Sequence, residues 1–234
     1  MIEFERIKVR LGALLDSFTR RFRLGEHFLG VFIPDDLKGD ADAVRALAPG
    51  VMRRVKAPPK CILLSASVDG VQAASRQAGL SGPPFRVALF AHPNDSETGF
   101  SVNPSPTGPS SVFPYWWSLD GHEYEFIYAH VCNGATVLNR EPWAAIFPRW
   151  VSYQMVVEVF LATPRSKERW TELCTNLLKG AWQSDNVEAL FYRTQAIYND
   201  AMARLWGTFD AAGGDDITMA FLEKSIAALA RRSA

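Results

Sequence analysis

The chain has 234 residues, 48% of them hydrophobic and 21% charged, values near globular averages that exclude wholesale disorder and allow a substantial core. Lys+Arg and Asp+Glu each number 25, so the formal net charge is zero and no global basic field points to nucleic acid as a partner. No run reaches membrane-spanning length, and the first residues lack the basic, apolar and small-residue order of a secretory leader; the expected setting is cytoplasmic, with no membrane partner.

Residues 1–24 place Leu11, Leu14, Leu15 and Phe18 at helical spacing and end on Arg20, Arg21 and Arg23, which predicts an amphipathic N-terminal helix with a basic finish. Phe28–Ile33 (FLGVFI) then reads as a first buried strand stopped by Pro34. Ala41–Val55 follows as a helix interrupted at Pro49-Gly50, and Cys61–Ala66 (CILLSA) is a second apolar strand. Val68–Gly79 reads as a helix with Gly79 as its C-terminal cap. The third strand lies in Phe85–Asp95 (FRVALFAHPND), whose apolar run ends on His92. Strand, helix, strand, helix, strand is the order of a parallel sheet with crossover helices.

Asn94–Pro114 is dense in Pro, Ser, Gly, Asn and Thr and closes on the aromatic cluster Phe113–Trp117. A connection this long inside a domain is usually functional or mobile. Tyr124–Gly134 (YEFIYAHVCNG) resumes the sheet as an apolar strand that ends on His130, Cys132, Asn133 and Gly134, with Asn-Gly tolerating left-handed backbone at the turn. Cysteine is also among the most buried residue types, so packing is the competing account of Cys132.

After Cys132 the chain turns helical. Trp143–Phe147 reads as one short turn, and the β-branched density near Val151–Tyr153 favours a fifth strand at the sheet edge. Ser166–Trp182, Asp185–Trp206 and Asp216–Arg232 read as helices. The first carries Trp170, Leu173, Leu177, Leu178 and Ala181 on one face, with Cys174 as packing. Three scattered cysteines, Cys61, Cys132 and Cys174, indicate neither a disulfide framework nor a paired-cysteine zinc site. Cys61 starts its strand rather than ending it and reads as a core residue. The expected architecture is an α/β fold with a mostly parallel sheet, an N-terminal helix over 1–24, an α/β part over 25–162 and a helical C-terminal part over 163–234.

If the strands before His92 and Cys132 are parallel neighbours, both residues emerge at the same sheet edge, where open α/β folds place their ligands. His130 lies two residues before Cys132 and on the same face of an extended strand, so it is an alternative base. The segments LFAHPND and IYAHVCNG, with their flanking elements over about residues 28–155, resemble the caspase-like cysteine peptidases, including the CHAT branch. In that family a histidine ends one strand and Cys-x-Gly ends a later one. The resemblance implies a three-layer fold, a protein or peptide substrate, no cofactor or metal, and a regulatory partner protein. Cys132 would be the nucleophile, His92 the general base, and Asn133 and Gly134 oxyanion or turn residues. Asp95, Tyr115, Trp116 and Trp117 would line a substrate pocket. Where the family has a glycine whose N–H serves the oxyanion hole, this chain has Pro93, which has no N–H.

Ala91–Asp95 (AHPND) is also similar to the AHPDD segment of LmbE-like zinc deacetylases, with His92, Asp95 and His122 or His130 as chemically adequate zinc ligands. The middle acid of that segment is Asn94 here, and an amide cannot take a proton from zinc-bound water. A third expectation, from another class, is a non-catalytic module that keeps the fold and uses the aromatic loop for protein contacts.

Overall fold

A computed structural model describes residues 28–32, 51, 60–63, 86–93, 100–101, 124–155, 164–212 and 219–233. The helices expected over 1–24 and 68–79, most of that over 41–55, and the aromatic segment 113–117 lie outside these residues. So do Asp95, Tyr115, Trp116, Trp117 and His122.

The strands are β1 (Phe28–Phe32), β2 (Lys60–Leu63), β3 (Arg86–Phe90), β4 (His92–Pro93), β5 (Phe100–Ser101), β6 (Phe126–His130), β7 (Arg149–Tyr153) and β8 (Leu229–Ser233). Six of them form one sheet in the order β2-β1-β3-β6-β7-β8. The pairs β1–β2, β1–β3, β3–β6 and β6–β7 are all parallel, and only β7–β8 is antiparallel. The mostly parallel α/β sheet expected from the apolar runs is therefore present, with the four expected strands as parallel members. All five residues of β3 and of β6 are buried, which is why these strands read as continuous apolar runs rather than as alternating ones.

The helices are α1 (Gly134–Leu138), α2 (Trp143–Ile146), α3 (Pro164–Gln183), α4 (Val187–Ala212) and α5 (Met219–Ala228). Phe28, Ala88, Phe90, Phe126, Tyr128, Val151 and Tyr153 join residues of α3, α4 and α5 in one core cluster. Their neighbours Val87, Leu89, Ile127, Ala129 and Trp150 join α1, Trp143 and Phe147 in a second. Odd and even strand positions thus enter different clusters, as the period of two requires. The expected apolar face of α3 is the buried one: Trp170, Leu173, Leu177, Leu178 and Ala181 are each at most 5% exposed. Asn186 precedes helix α4, and its Oδ1 accepts from the Ala189 N–H at 2.8 Å, an N-cap bond to the third helical residue.

At the N-terminal edge of the sheet, the buried Arg86 guanidinium donates to the Ser184 carbonyl at 2.8 Å and pairs with Glu125. It ties the end of α3 to the start of β3 and β6.

Two expectations are corrected. Val151–Tyr153 is in a strand, but β7 is not the edge, because β8 pairs along it from Arg149↔Ser233 to Tyr153↔Leu229. The helix expected to run to Arg232 stops at Ala228, and Leu229–Ser233 is strand. Leu, Ala and Arg are good helix formers, so local propensity pointed the wrong way. The unpaired backbone of β7 offers a full ladder of partners, and tertiary pairing overrides the preference.

Candidate functional site

Chain order and sheet order reverse at β1: β2 lies on one side of it and β3 on the other. In an open parallel sheet such a reversal opens a crevice beyond the carboxyl ends of the two strands that flank it, here β1 and β3. Strand β3 ends at Phe90, paired with His130 of β6. The Ala91 N–H still donates to the His130 carbonyl at 3.4 Å, and then the two chains part. His92-Pro93 forms β4, paired antiparallel with β5 through His92↔Ser101 and Pro93↔Phe100. The connection after His92 thus starts as a short hairpin, as a loop rimming this edge would. His92 and Cys132 each stand two residues beyond the Phe90↔His130 pair, so adjacent parallel strands deliver an imidazole-bearing and a thiol-bearing position to one edge.

The turn after β6 follows from its residue types. Asn133 adopts φ 51 and ψ 23, the left-handed region that asparagine tolerates. Gly134 follows because nothing larger fits: an added Cβ would stand 2.2 Å from Ser152 Oγ and 3.1 Å from Val131 Cβ. Ser152 is itself held by donating to the Ala129 carbonyl at 2.8 Å. The Gly134 N–H donates to the Val131 carbonyl and the Asn133 N–H to the Met155 carbonyl, both at 3.1 Å. Asn133 and Gly134 therefore act as turn residues: the Gly134 N–H closes the bend that carries Cys132 from β6 into α1, and the Asn133 N–H ties that bend to the residues after β7.

Cys132 is half-buried, carries a thiol rather than a disulfide, and packs against the cluster beneath α3 to α5. Cys174 is wholly buried within α3, and burial pushes its thiol up to about 12, as expected of a packing cysteine. Cys61 occupies the second position of β2.

His130 shares the face of Cys132, as its spacing implies, but it is 6% exposed and its Nδ1 lies 3.2 Å from Tyr128 Oη. Its ring is flanked by Phe90 and Tyr153 at centroid distances of 5.4 and 5.3 Å. From Tyr128 a run of buried hydroxyls continues to Tyr153 at 2.7 Å and on to Tyr198 at 2.8 Å. Sequence reasoning did not single out these tyrosines. The i, i+2 spacing of Tyr128 and His130 was a usable signal, whereas nothing in the chain order ties Tyr198 to either. Among the described residues no cluster of three or more His, Cys, Asp or Glu side chains suits a metal ion, and no helix is long and apolar enough to cross a membrane. A separate groove of about 490 Å³ between α3 and α4, lined by Leu173, Ile197, Arg193 and Arg204 among others, includes no residue of the β3/β6 edge.

Comparison with family models, with curated proteins and with solved structures returns no match for this chain.

Proposed function

We propose that the protein is a thiol-dependent peptidase of caspase-like type with the three-layer fold that the resemblance implies. The observation that carries the reading is that two adjacent parallel strands, in register at Phe90↔His130, lead to His92 and Cys132 two residues further on, at the sheet edge next to the reversal of strand order. In this mechanism the Cys132 thiol gives its proton to His92 and the sulfur attacks the carbonyl carbon of a peptide bond. The imidazolium returns the proton to the leaving amine, and water then hydrolyses the thioester, regenerating the thiol. An oxyanion at this turn would compete with the Val131 and Met155 carbonyls for the Gly134 and Asn133 N–H groups. Charge stabilisation of this kind usually carries much of the rate, so substrate binding would have to open that turn or use other donors. Pro93 supplies none. The protein would act in the cytoplasm on a protein or peptide substrate, under the control of a partner.

Selective alkylation tests the reading. With a small iodoacetamide reagent near pH 6.5, Cys132 should be modified before Cys61 and Cys174, and His92→Ala should slow that modification. Equal, slow reaction of all three thiols would remove the nucleophile. Retained selectivity in His92→Ala, with its loss in His130→Ala, would transfer the base to His130.

A further inference from the structure

His130 Nδ1, Tyr128 Oη, Tyr153 Oη and Tyr198 Oη follow one another at 3.2, 2.7 and 2.8 Å, and Tyr198 is in turn hydrogen-bonded to the Ser225 side chain. The run starts on β6, passes through β7 and α4, and ends on α5. The three tyrosines are each at most 2% exposed, and Ser225 is also buried. Burial, reinforced by the neighbouring phenols, raises the tyrosines well above their ordinary 10.0. Each hydroxyl therefore keeps its proton and has one hydrogen to donate.

A file of such hydroxyls can point only one way or the other. If it points toward the ring, Nδ1 accepts from Tyr128 and a neutral His130 carries its proton on Nε2. If it points away, Nδ1–H donates to Tyr128 and Nε2 bears the lone pair. The direction of the file and the tautomer of the ring are thus a single variable, shared between the sheet edge and α5. The Phe90 and Tyr153 rings against the imidazole hold its plane.

We propose that Tyr128, Tyr153 and Tyr198 are positioning residues of the thiol site, locking the His130 ring in one tautomer and orientation on the face it shares with Cys132. The proposal rests on the thiol reading of Cys132. Its logic is that of a base or neighbouring ring oriented by a third group, here an un-ionisable phenol file in place of a carboxylate.

The test combines a spectroscopic signature with reactivity in the full chain. With ¹⁵N-labelled histidine, at a pH where the ring is neutral, His130 should show the two widely separated ring-nitrogen shifts of a single tautomer. Tyr128→Phe should move these shifts toward the averaged values of a mixture and slow Cys132 alkylation by about two- to tenfold, the size of one net hydrogen bond. Tyr198→Phe, two links from the ring, should do both to a smaller degree, and it keeps the test open if Tyr128→Phe does not fold. Unchanged ring shifts in a folded variant would overturn the proposal. Ring shifts that move while Cys132 reactivity stays the same would overturn it too, and would leave the peptidase reading, probed through His92→Ala, standing. A wild-type Cys132 no more reactive than Cys174 would remove both together.

Discussion

Cys132 and Cys174 pack against the same core cluster, yet one stands half-buried in a turn at the sheet edge and the other lies wholly buried in the middle of α3. The interior side also buries three phenols that burial keeps protonated. The sulfur at the edge is partly open to solvent, whereas burial raises the thiol in the interior and holds it protonated. Position within the secondary structure, rather than residue type, separates the two.

The sharpest way to expose that difference is alkaline pH. Tyr128, Tyr153 and Tyr198 are raised from 10.0 and Cys174 from 9.0, so above those values the unfolded chain sheds protons that the folded chain retains. Their contribution is fully present below about pH 9 and is lost as pH climbs toward the folded values, at about 1.4 kcal/mol per pH unit for each group and about 5 kcal/mol per unit when all four titrate. Urea unfolding midpoints measured from pH 8 to 11 should fall with increasing slope, and Tyr153→Phe should lessen the slope by about one group's share. A midpoint independent of pH over that range would mean that the interior is wet.

The two thiols provide the next largest contrast. A shift from 9.0 to about 12 lowers the thiolate fraction of Cys174 at neutral pH by about a thousandfold relative to an ordinary thiol. Mass spectrometry after brief alkylation of the native protein should find Cys174 unmodified while Cys132 reacts. Comparable labelling of the two would break the comparison outright.

Smaller effects sharpen it. Gly134→Ala places a Cβ 2.2 Å from Ser152 Oγ, and overpacking of this kind should cost about 1–3 kcal/mol in chemical denaturation. Adding Ser152→Ala removes the obstructing oxygen, so the double variant should recover part of the loss, a coupling that distant sites do not show. Asn186→Ala deletes the cap of α4 and should cost about 1 kcal/mol while leaving Cys132 alkylation unchanged, because it acts far from the edge. A change in that rate would mean that the start of α4 and the thiol turn are coupled.

The parallel strands were legible because strands buried on both faces carry continuous apolar runs, as VALF and FIYA are. The turn was legible from Asn133-Gly134, and Asn133 alone takes positive φ among the non-glycine residues described. The apolar stripe of α3 followed from its period. β8 was not legible: LARRS has the composition of a helix end, and it becomes strand only because β7 lies beside it. The hydroxyl file was equally hidden, since Tyr153 follows Tyr128 by 25 residues and Tyr198 follows Tyr153 by a further 45, and no local pattern links them.

By itself, the sequence determined which segments could be buried strands, where left-handed backbone could sit, and that one strand leads to His92 and another to Cys132. Those properties reside in a few consecutive residues, where sterics and apolar content act directly. Only the tertiary structure decided that those two strands are neighbours in register at Phe90↔His130, that the last residues pair as a strand, and that three tyrosine hydroxyls meet behind His130. Each of these depends on groups distant in the chain satisfying one another's backbone or hydroxyl hydrogen bonds in a space closed to water.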